Sequence, residues 1–376
     1  MMKRIRQIIR KEFIHLKRDR GLLRTVALMP LIQLLIYGYV VATEIRALPV
    51  AVLDYSASAE GRRLLERFTS TGYFKLEGYL SSPNQVDAEL NSGRALMVVV
   101  IPRDFAEKIR RRAGAKVQLL VDGTNSNTAT IALGYVGGIV AAENAERLRQ
   151  NFEQKGLRQI DAGIREEPRV WFNPSLRPIN YLVPGIVCIL LMEMMVPLTA
   201  FSLVRERERG TIEQLMVTPV RAGELLIGKM IPYALIGLAD SLVILAAGTF
   251  WFDVPLAGSL LSLMACALLF IVVALSFGIL LATTVKTQQQ AALSAQFVIV
   301  PNLLLSGFMF AIESMPTAMQ YFTTVLPMRY FLVIMRGIMM KGLGLADLWD
   351  QALALALLGT IVLSISWIRF RRVFSY

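Results

Sequence analysis

Residues 179–203 read INYLVPGIVCILLMEMMVPLTAFSL, and Glu193 is their single charged side chain. A run of about 20 apolar residues is long enough to cross the hydrocarbon core of a bilayer as a helix. Five further runs have similar lengths, near residues 22–42, 225–250, 257–283, 291–312 and 350–368. Because 55% of the 376 residues are hydrophobic and only 18% are charged, we predict a polytopic α-helical membrane protein with six transmembrane helices.

Basic residues are concentrated in the segments before the first span, after the second span and after the last span. Residues 1–20 hold eight Lys or Arg against two acids, and further basic clusters follow the second span and close the chain. The positive-inside rule places these segments, with the N- and C-termini, in the cytoplasm. The polar insert 44–176 is then extracytoplasmic. The net charge of +12 does not indicate nucleic-acid binding, since no basic stripe with interleaved aromatics lies in a polar segment.

The first 21 residues are predicted to form an amphipathic helix in the cytoplasmic interface. Apolar residues recur there at helical spacing, namely Ile5, Ile8, Ile9, Phe13 and Leu16. The first transmembrane helix follows at 22–43.

The insert 44–176 is large enough to fold as a domain of its own. Its short apolar runs, at 49–54, 73–79, 95–101 and 116–121, alternate with helical patterns. This alternation predicts an extracytoplasmic α/β domain with parallel neighbouring strands, followed by a long helix from about 128 to 155. Asp54, Asp104 and Asp122 are interpreted as turn and cap residues. We expect no catalytic residue and no metal site, and neither Cys188 nor Cys266 has metal-ligating neighbours.

The loop RERERGTIEQLMVTPV, residues 205–220, predicts a short helix outside the bilayer. Thr211 and Gln214 have the spacing of a capping box, and Pro219 limits the helix to less than two turns. Ile212, Leu215 and Met216 share one face. Two interpretations stay open: this face binds the groove of a partner, or it lies on lipid headgroups.

The stretch GELLIGKM, residues 223–230, satisfies seven of the eight Walker A positions and fails at Met230, where Mg²⁺ binding needs a hydroxyl. It leads directly into an apolar span, whereas a Walker A loop follows a β-strand. We therefore interpret its glycines as helix-packing positions and Lys229 as a cytoplasmic anchor of the third span. No cofactor is expected to bind this chain.

These motifs resemble the ABC-2-type class of ABC transporter permeases. The matching residues are Glu206, Glu208, Gly210, Thr211, Glu213, Leu215, Thr218, Pro219, Gly228 and Lys229. KEFIHLKRDRG, residues 11–21, also agrees. MPTAMQYFTTVLPMRYFLVIMRGIMMKG, residues 315–342, resembles the external helical hairpin of the class, predicted here at 313–345. The subgroup that is most similar has a large external domain after the first span.

The resemblance implies a permease without its own ATPase that works as a dimer with two separate ATPase subunits, which bind ATP and Mg²⁺. The second permease is either an identical copy or a related chain. The cytoplasmic coupling loop is placed at 204–222, with Glu206, Gly210, Thr211, Ile212, Glu213, Leu215, Met216, Thr218 and Pro219 as ATPase-coupling residues. The resemblance further implies multidrug or lipid efflux across a bacterial inner membrane, in some members together with a periplasmic adaptor protein.

Three polar residues deep in the predicted spans are candidates for the translocation path: Glu193, Asp240 and Asn302. At about 1.5 Å per residue, the two acids lie roughly 16–18 Å from the cytoplasmic face. Ionisable groups at that depth are costly and often functional. Two interpretations stay open: they line a path for cationic or amphipathic substrates, or they stabilise helix packing through hydrogen bonds.

Two other function classes are compatible with a polytopic chain. An ion-driven secondary transporter predicts inverted repeats with matched broken spans, and we find no matched pair. A membrane anchor or receptor that acts through its external domain does not need a capped cytoplasmic helix. ATPase activity that requires a co-purified nucleotide-binding protein separates the permease from both alternatives.

Overall fold

A computed structural model describes the protein at residues 2–42, 47–111, 113–124, 126–154, 172–173, 177–211 and 221–374. The chain divides into two compact units. The larger unit contains Met1–Thr43 and Pro168–Tyr376, and the smaller contains Glu44–Glu167.

Most described residues are helical, and the elements follow one another in this order: α1 Met2–Arg18, α2 Arg20–Ala42, β1 Leu48–Asp54, α3 Ala59–Ser70, β2 Phe74–Tyr79, α4 Asn84–Asn91, β3 Met97–Ile101, α5 Phe105–Arg111, β4 Gln118–Val121, α6 Ser126–Gln154, α7 Pro178–Glu208, α8 Ala222–Phe252, α9 Leu260–Ala282, α10 Gln288–Leu305, α11 Thr317–Phe322, α12 Pro327–Lys341 and α13 Trp349–Phe374. Short 3₁₀ turns at Ile312–Ser314 and Thr323–Val325 flank α11.

A helix lies at each of the six predicted spans, which are α2, α7, α8, α9, α10 and α13. Four of them, α7, α8, α9 and α13, are long and apolar enough to cross a membrane by length and composition. A bent pair, Thr317–Val325 with Pro327–Lys341, turns by 83° and could count as a fifth span or a re-entrant loop. The prediction of a polytopic helical protein is confirmed. The count of six spans and the cytoplasmic termini stay predictions.

Helix α7, which contains the stretch quoted first, is the centre of the larger unit. It packs against α2, α8, α9, α10 and α12. Leu190, Leu191, Met192 and Met195 are fully buried. A helix that is apolar on every side is stable only when neighbouring helices or lipid surround it, and here other helices provide most of that cover.

The smaller unit is built on a four-stranded sheet of order β2-β1-β3-β4. Strand β1 is parallel to β2 and to β3, whereas β4 is antiparallel to β3. The predicted parallel neighbours are therefore found for three strands, and β4 is the exception. The central strands are apolar on both faces, with Val50, Val52, Val98 and Val99 buried, as is typical of parallel strands covered by helices.

The aspartates of the smaller unit hold local turns, as the sequence predicts. Asp54 Oδ1 accepts a 2.8 Å hydrogen bond from the Ser56 amide, and Asp122 Oδ1 accepts a 2.9 Å bond from the Thr124 amide. The Thr124 hydroxyl donates to the same oxygen. Both bonds lower the pKa of the Asp122 carboxyl, and the bond from the backbone amide has the larger effect. In the part of the chain that the structure describes, no group of three or more His, Cys, Asp or Glu could hold a metal ion.

Glycines of the GELLIGKM stretch are helix-packing positions, which confirms their interpretation from sequence. The whole stretch lies inside α8. A Cβ on Gly223 would lie 2.1 Å from Trp367 Cη2, and a Cβ on Gly228 would lie 2.6 Å from Ile8 Cγ2. Only glycine therefore allows α13 and α1 to approach α8 this closely.

The N-terminal segment is a helix, but its buried face differs from the predicted apolar face. Ile8, Glu12 and Leu16 are its buried side chains, and α1 packs along α8. Phe13, which the sequence assigned to the apolar face, is 41% exposed. The face is set by contact with α8, so a carboxylate replaces an aromatic ring at its centre.

We expect Gly228→Val to destabilise the larger unit by about 1–3 kcal/mol, because the added methyl groups overlap Ile8. Thermal unfolding of the purified protein would show a lower midpoint. Gly21→Val is the matched control, since a Cβ there makes only an ordinary contact, 3.5 Å from Asp19 Oδ1. Ile8→Ala combined with Gly228→Val should recover part of the loss. An unchanged midpoint for Gly228→Val would contradict the packing described here.

Candidate functional site

Lys229 is buried between three helices, with 1% of its surface exposed. Its Nζ lies 3.0 Å from Glu12 Oε1 of α1 and 3.1 Å from Glu206 Oε1 of α7. The same atom donates a 2.8 Å hydrogen bond to Ser202 Oγ. That Lys229 lies at the cytoplasmic end of its span stays a prediction; its side chain is buried because α1 packs on α8.

Two more side chains complete this group, which we call the Lys229 cluster: Lys11, Glu12, Ser202, Glu206, Lys229 and Tyr233. Lys11 Nζ lies 2.6 Å from Glu206 Oε1, and the Tyr233 hydroxyl donates a 3.2 Å hydrogen bond to Glu12 Oε2. Two ammonium groups face two carboxylates, so the formal charges cancel. Buried ions are tolerated when they are paired and hydrogen-bonded in this way.

Further contacts fix the C-terminal end of α7, around the RERER run. Arg205 Nη1 lies 3.3 Å from Asp19 Oδ2, just after α1, and Arg205 Nε donates a 3.3 Å hydrogen bond to Gln288 at the start of α10. The Gln288 backbone N–H donates a 2.9 Å hydrogen bond to Glu208 Oε1. The acidic and basic residues of this run therefore hold helices together inside the unit.

The predicted coupling loop, residues 204–222, overlaps this anchored end, because α7 continues to Glu208. Gly210 has a φ of +66°, and the Thr211 hydroxyl donates a 3.0 Å bond to the Glu206 carbonyl oxygen. The predictions for Ile212, Glu213, Leu215, Met216, Thr218 and Pro219, and for the capping box with Gln214, fall outside the described residues.

The chain re-enters the described part at Arg221. The Arg221 amide donates a 3.0 Å hydrogen bond to Glu224 Oε2, and Arg4 Nη1 of α1 lies 3.8 Å from the same oxygen. Helix α1 therefore contacts both the helix that enters the coupling segment and the helix that leaves it.

The three polar residues of the predicted path have different environments. Glu193 Oε2 accepts a long 3.5 Å hydrogen bond from Gln33 of α2. Asp240 is 9% exposed, and its Oδ2 has no hydrogen-bond partner among the described residues. No hydrogen bond or ion pair joins Glu193, Asp240 and Asn302 to one another within the described part of the chain. Their role in a path stays a prediction.

Asn302 links α10 to α12. Its Nδ2 donates a 2.9 Å hydrogen bond to the Val298 carbonyl oxygen, and its Oδ1 accepts a 3.2 Å bond from the Met328 amide. That amide belongs to the first turn of α12, where helical partners are missing. These two bonds are what a packing role requires.

Arg336 is a half-buried cation in the segment that resembles the external hairpin of the family. Its guanidinium lies 3.8 Å over the Tyr181 ring, and Nη1 donates a 3.3 Å hydrogen bond to the Gly307 carbonyl oxygen. Nε and Nη2 are buried without a partner in the described residues. The signal in the sequence is an arginine inside the apolar run FLVIMRGIMM; its burial comes from the packing of α12 on α7.

Comparison with known proteins gives concordant matches. A family described as "ABC-2 family transporter protein" matches residues 20–368. The chain is 31% identical to "Probable multidrug ABC transporter permease YbhS" of Escherichia coli K12, covering 98% of this chain and 97% of that protein. It is 29% identical to "Probable multidrug ABC transporter permease YbhR" of the same strain, covering 99% of each. "Inner membrane transport permease YhhJ" is 27% identical, covering 96% of this chain and 95% of that protein.

We expect Lys229→Met to destabilise the protein by about 3–5 kcal/mol, because it leaves two buried carboxylates without their shared partner. The measurement is the midpoint of thermal unfolding in detergent. Lys286→Met is the matched control, since Lys286 is exposed. The triple variant Glu12→Gln, Glu206→Gln, Lys229→Met removes the unpaired charges and should recover much of the loss. Equal midpoints for the variants at 229 and 286 would refute a stabilising role for the cluster.

Proposed function

The chain belongs to the ABC-2 transporter family, and from this premise we propose that it is the permease subunit of an ATP-driven exporter. Permeases of this family work with ABC ATPase subunits, and they are transporters rather than enzymes. In our proposal, the chain forms the translocation path for an amphipathic or hydrophobic substrate, drug-like or lipid. Separate subunits bind ATP and Mg²⁺, and this chain binds no cofactor of its own.

The observation that carries the coupling role is the anchoring of both ends of the segment 211–221. Helix α7 enters it and α8 leaves it, and Lys229 joins Glu206 of α7 to Glu12 of α1. A displacement of the segment by an ATPase subunit would therefore move α1, α7 and α8 together. Inward-open and outward-open packings would then differ in population with the nucleotide state, as in other two-state transporters.

For the path we propose Glu193 and Asp240, which lie on α7 and α8. The fold leaves the Asp240 Oδ2 atom without a partner among the described residues and gives Glu193 one long bond. Carboxyl groups this poorly satisfied favour a function over packing. Asn302 is the weaker candidate, because both of its polar ends are already bonded.

The same premise leads us to propose a membrane, a topology and partner proteins for the chain. We propose a multi-pass protein of a bacterial inner membrane, with six spans, cytoplasmic termini and residues 44–176 outside the cytoplasm. It would pair with an identical or related permease, and a periplasmic adaptor protein is a further candidate partner. The relatives are named as permeases of probable multidrug transporters, which supports drug-like substrates.

The proposal predicts ATP-driven export of ethidium by proteoliposomes that contain this chain and a cognate nucleotide-binding protein, and by neither alone. Glu206→Gln should lower the ethidium exported per ATP at least about fivefold, since it weakens the link between α7 and Lys229. Glu313→Gln, at an exposed position in the 3₁₀ turn Ile312–Ser314, is the matched control. Export without ATP, or equal export by the two variants, would argue against coupling through this site.

We further expect Glu193→Gln and Asp240→Asn to reduce ethidium export while export of the neutral lipophile Nile red is retained, because only a cation is attracted to a carboxylate in a low-dielectric path. Asp350→Asn, an exposed position at the start of α13, is the control. Assembly is checked by co-purification of the ATPase subunit. Unchanged ethidium export in both variants would leave the two acids with a packing role.

A further inference from the structure

The core of the smaller unit contains a cavity of about 160 Å³ between α3, α5, α6 and β4. Its walls are mostly apolar and include Leu64, Phe68, Phe105, Leu119 and Val136. Protein cores have few voids larger than a water molecule. An apolar cavity of about 150 Å³ is known to stay dry and to bind a molecule the size of benzene. This cavity is therefore large enough for one aromatic ring or a short acyl chain.

A charged group lies at one end of this apolar space. Glu143 lines the cavity and is 6% exposed. Its carboxylate is held between Arg67 Nε, 2.7 Å from Oε2, and Arg147 Nε, 2.7 Å from Oε1. Two guanidinium groups against one carboxylate leave a formal charge of +1 beside the cavity.

A link between α3 and α6 needs only Arg67, so the second arginine, Arg147, is not required for it. One ion pair, between Arg67 of α3 and Glu143 of α6, already joins the two helices. Both arginines pair with Glu143 through Nε, and each guanidinium carries two further, terminal nitrogens. These nitrogens donate in the fixed planar pattern that matches a carboxylate or a similar anion.

We propose that this cavity is a binding site for a small amphiphile with an apolar group of about ring size and an anionic head. The apolar group fills the space between Phe68, Phe105 and Val136, where burial removes it from water. The head lies at the Arg67, Glu143 and Arg147 group and accepts hydrogen bonds from the arginines. This site goes beyond the proposed transport function and does not depend on it, since a chain that exports nothing could still bind the ligand.

The test is calorimetric titration of the full-length protein in lipid nanodiscs, with empty nanodiscs as the blank. The probes are benzoate, its neutral analogue toluene and the cation benzylamine. We expect benzoate to bind about tenfold or more tightly than toluene, because of the charge-assisted hydrogen bonds, and benzylamine to give no heat above the blank. Hydrogen exchange of α3 and α6 should slow in the presence of benzoate. Benzoate heat equal to the blank would overturn the proposal.

Two variants separate a ligand site from a structural ion-pair group. Ala115→Leu fills part of the cavity and should abolish benzoate binding, whereas Ala113→Leu, at an exposed position two residues away, should retain it. Glu143→Gln removes the competing carboxylate and should tighten benzoate binding severalfold, which a structural group does not predict. If Ala115→Leu unfolds the unit, Val117→Phe replaces it. Equal binding by the variants at 113 and 115, or weaker binding by Glu143→Gln, would contradict the site.

Discussion

A buried ammonium group, Lys229, joins three helices of the larger unit through its contacts with Glu12 and Glu206. Removing it and its two carboxylates from water costs several kcal/mol per ion, and this cost is offset only when Glu12 and Glu206 are both within hydrogen-bond distance. The packing of α1, α7 and α8 satisfies that condition. The glycine at 228 belongs to the same constraint, because α1 reaches the lysine only where α8 lacks a side chain. The helix ends that flank the predicted coupling loop are therefore fixed to one packed group of helices.

The sequence predicts much of this architecture and little of its electrostatics. Hydropathy over about 20 residues is local, so the helices at 178–208, 222–252 and 260–282 could be located from the chain alone. The short apolar runs likewise predict the strands. They do not predict the antiparallel direction of β4, because the connection from Ile101 to Gln118 contains α5 and is long enough for either direction. The pairing of Glu12 with Lys229 joins residues 217 apart in sequence. Each resembles an ordinary surface charge until α1 is packed on α8.

Several buried polar atoms lack a hydrogen-bond partner among the described residues, and one of them, Glu206 Oε2, belongs to the Lys229 cluster. In the larger unit, Asp240 and Arg336 keep buried atoms unpaired among the described residues, whereas Asn302 is satisfied by α12. In the smaller unit, two arginines share one carboxylate next to an empty apolar space. Because an unpaired buried charge is expensive, such atoms are where a ligand would repay the cost of its own desolvation. The formal charges of the Lys229 cluster, in contrast, cancel, and the cluster holds α1, α7 and α8 together.

The central claim is that α1 and α8 stay joined while the transporter works. Its most direct test is a disulfide between Ile8→Cys and Gly228→Cys, in a chain with Cys188→Ser and Cys266→Ser. A Cβ at 228 lies 2.8 Å from Ile8 Cβ, so a widening of roughly 1 Å reaches disulfide geometry. We expect ATP-driven ethidium export by the cross-linked protein to equal that of the reduced protein. Export that is lost on oxidation and restored by reductant would show that the two helices separate, and would contradict it.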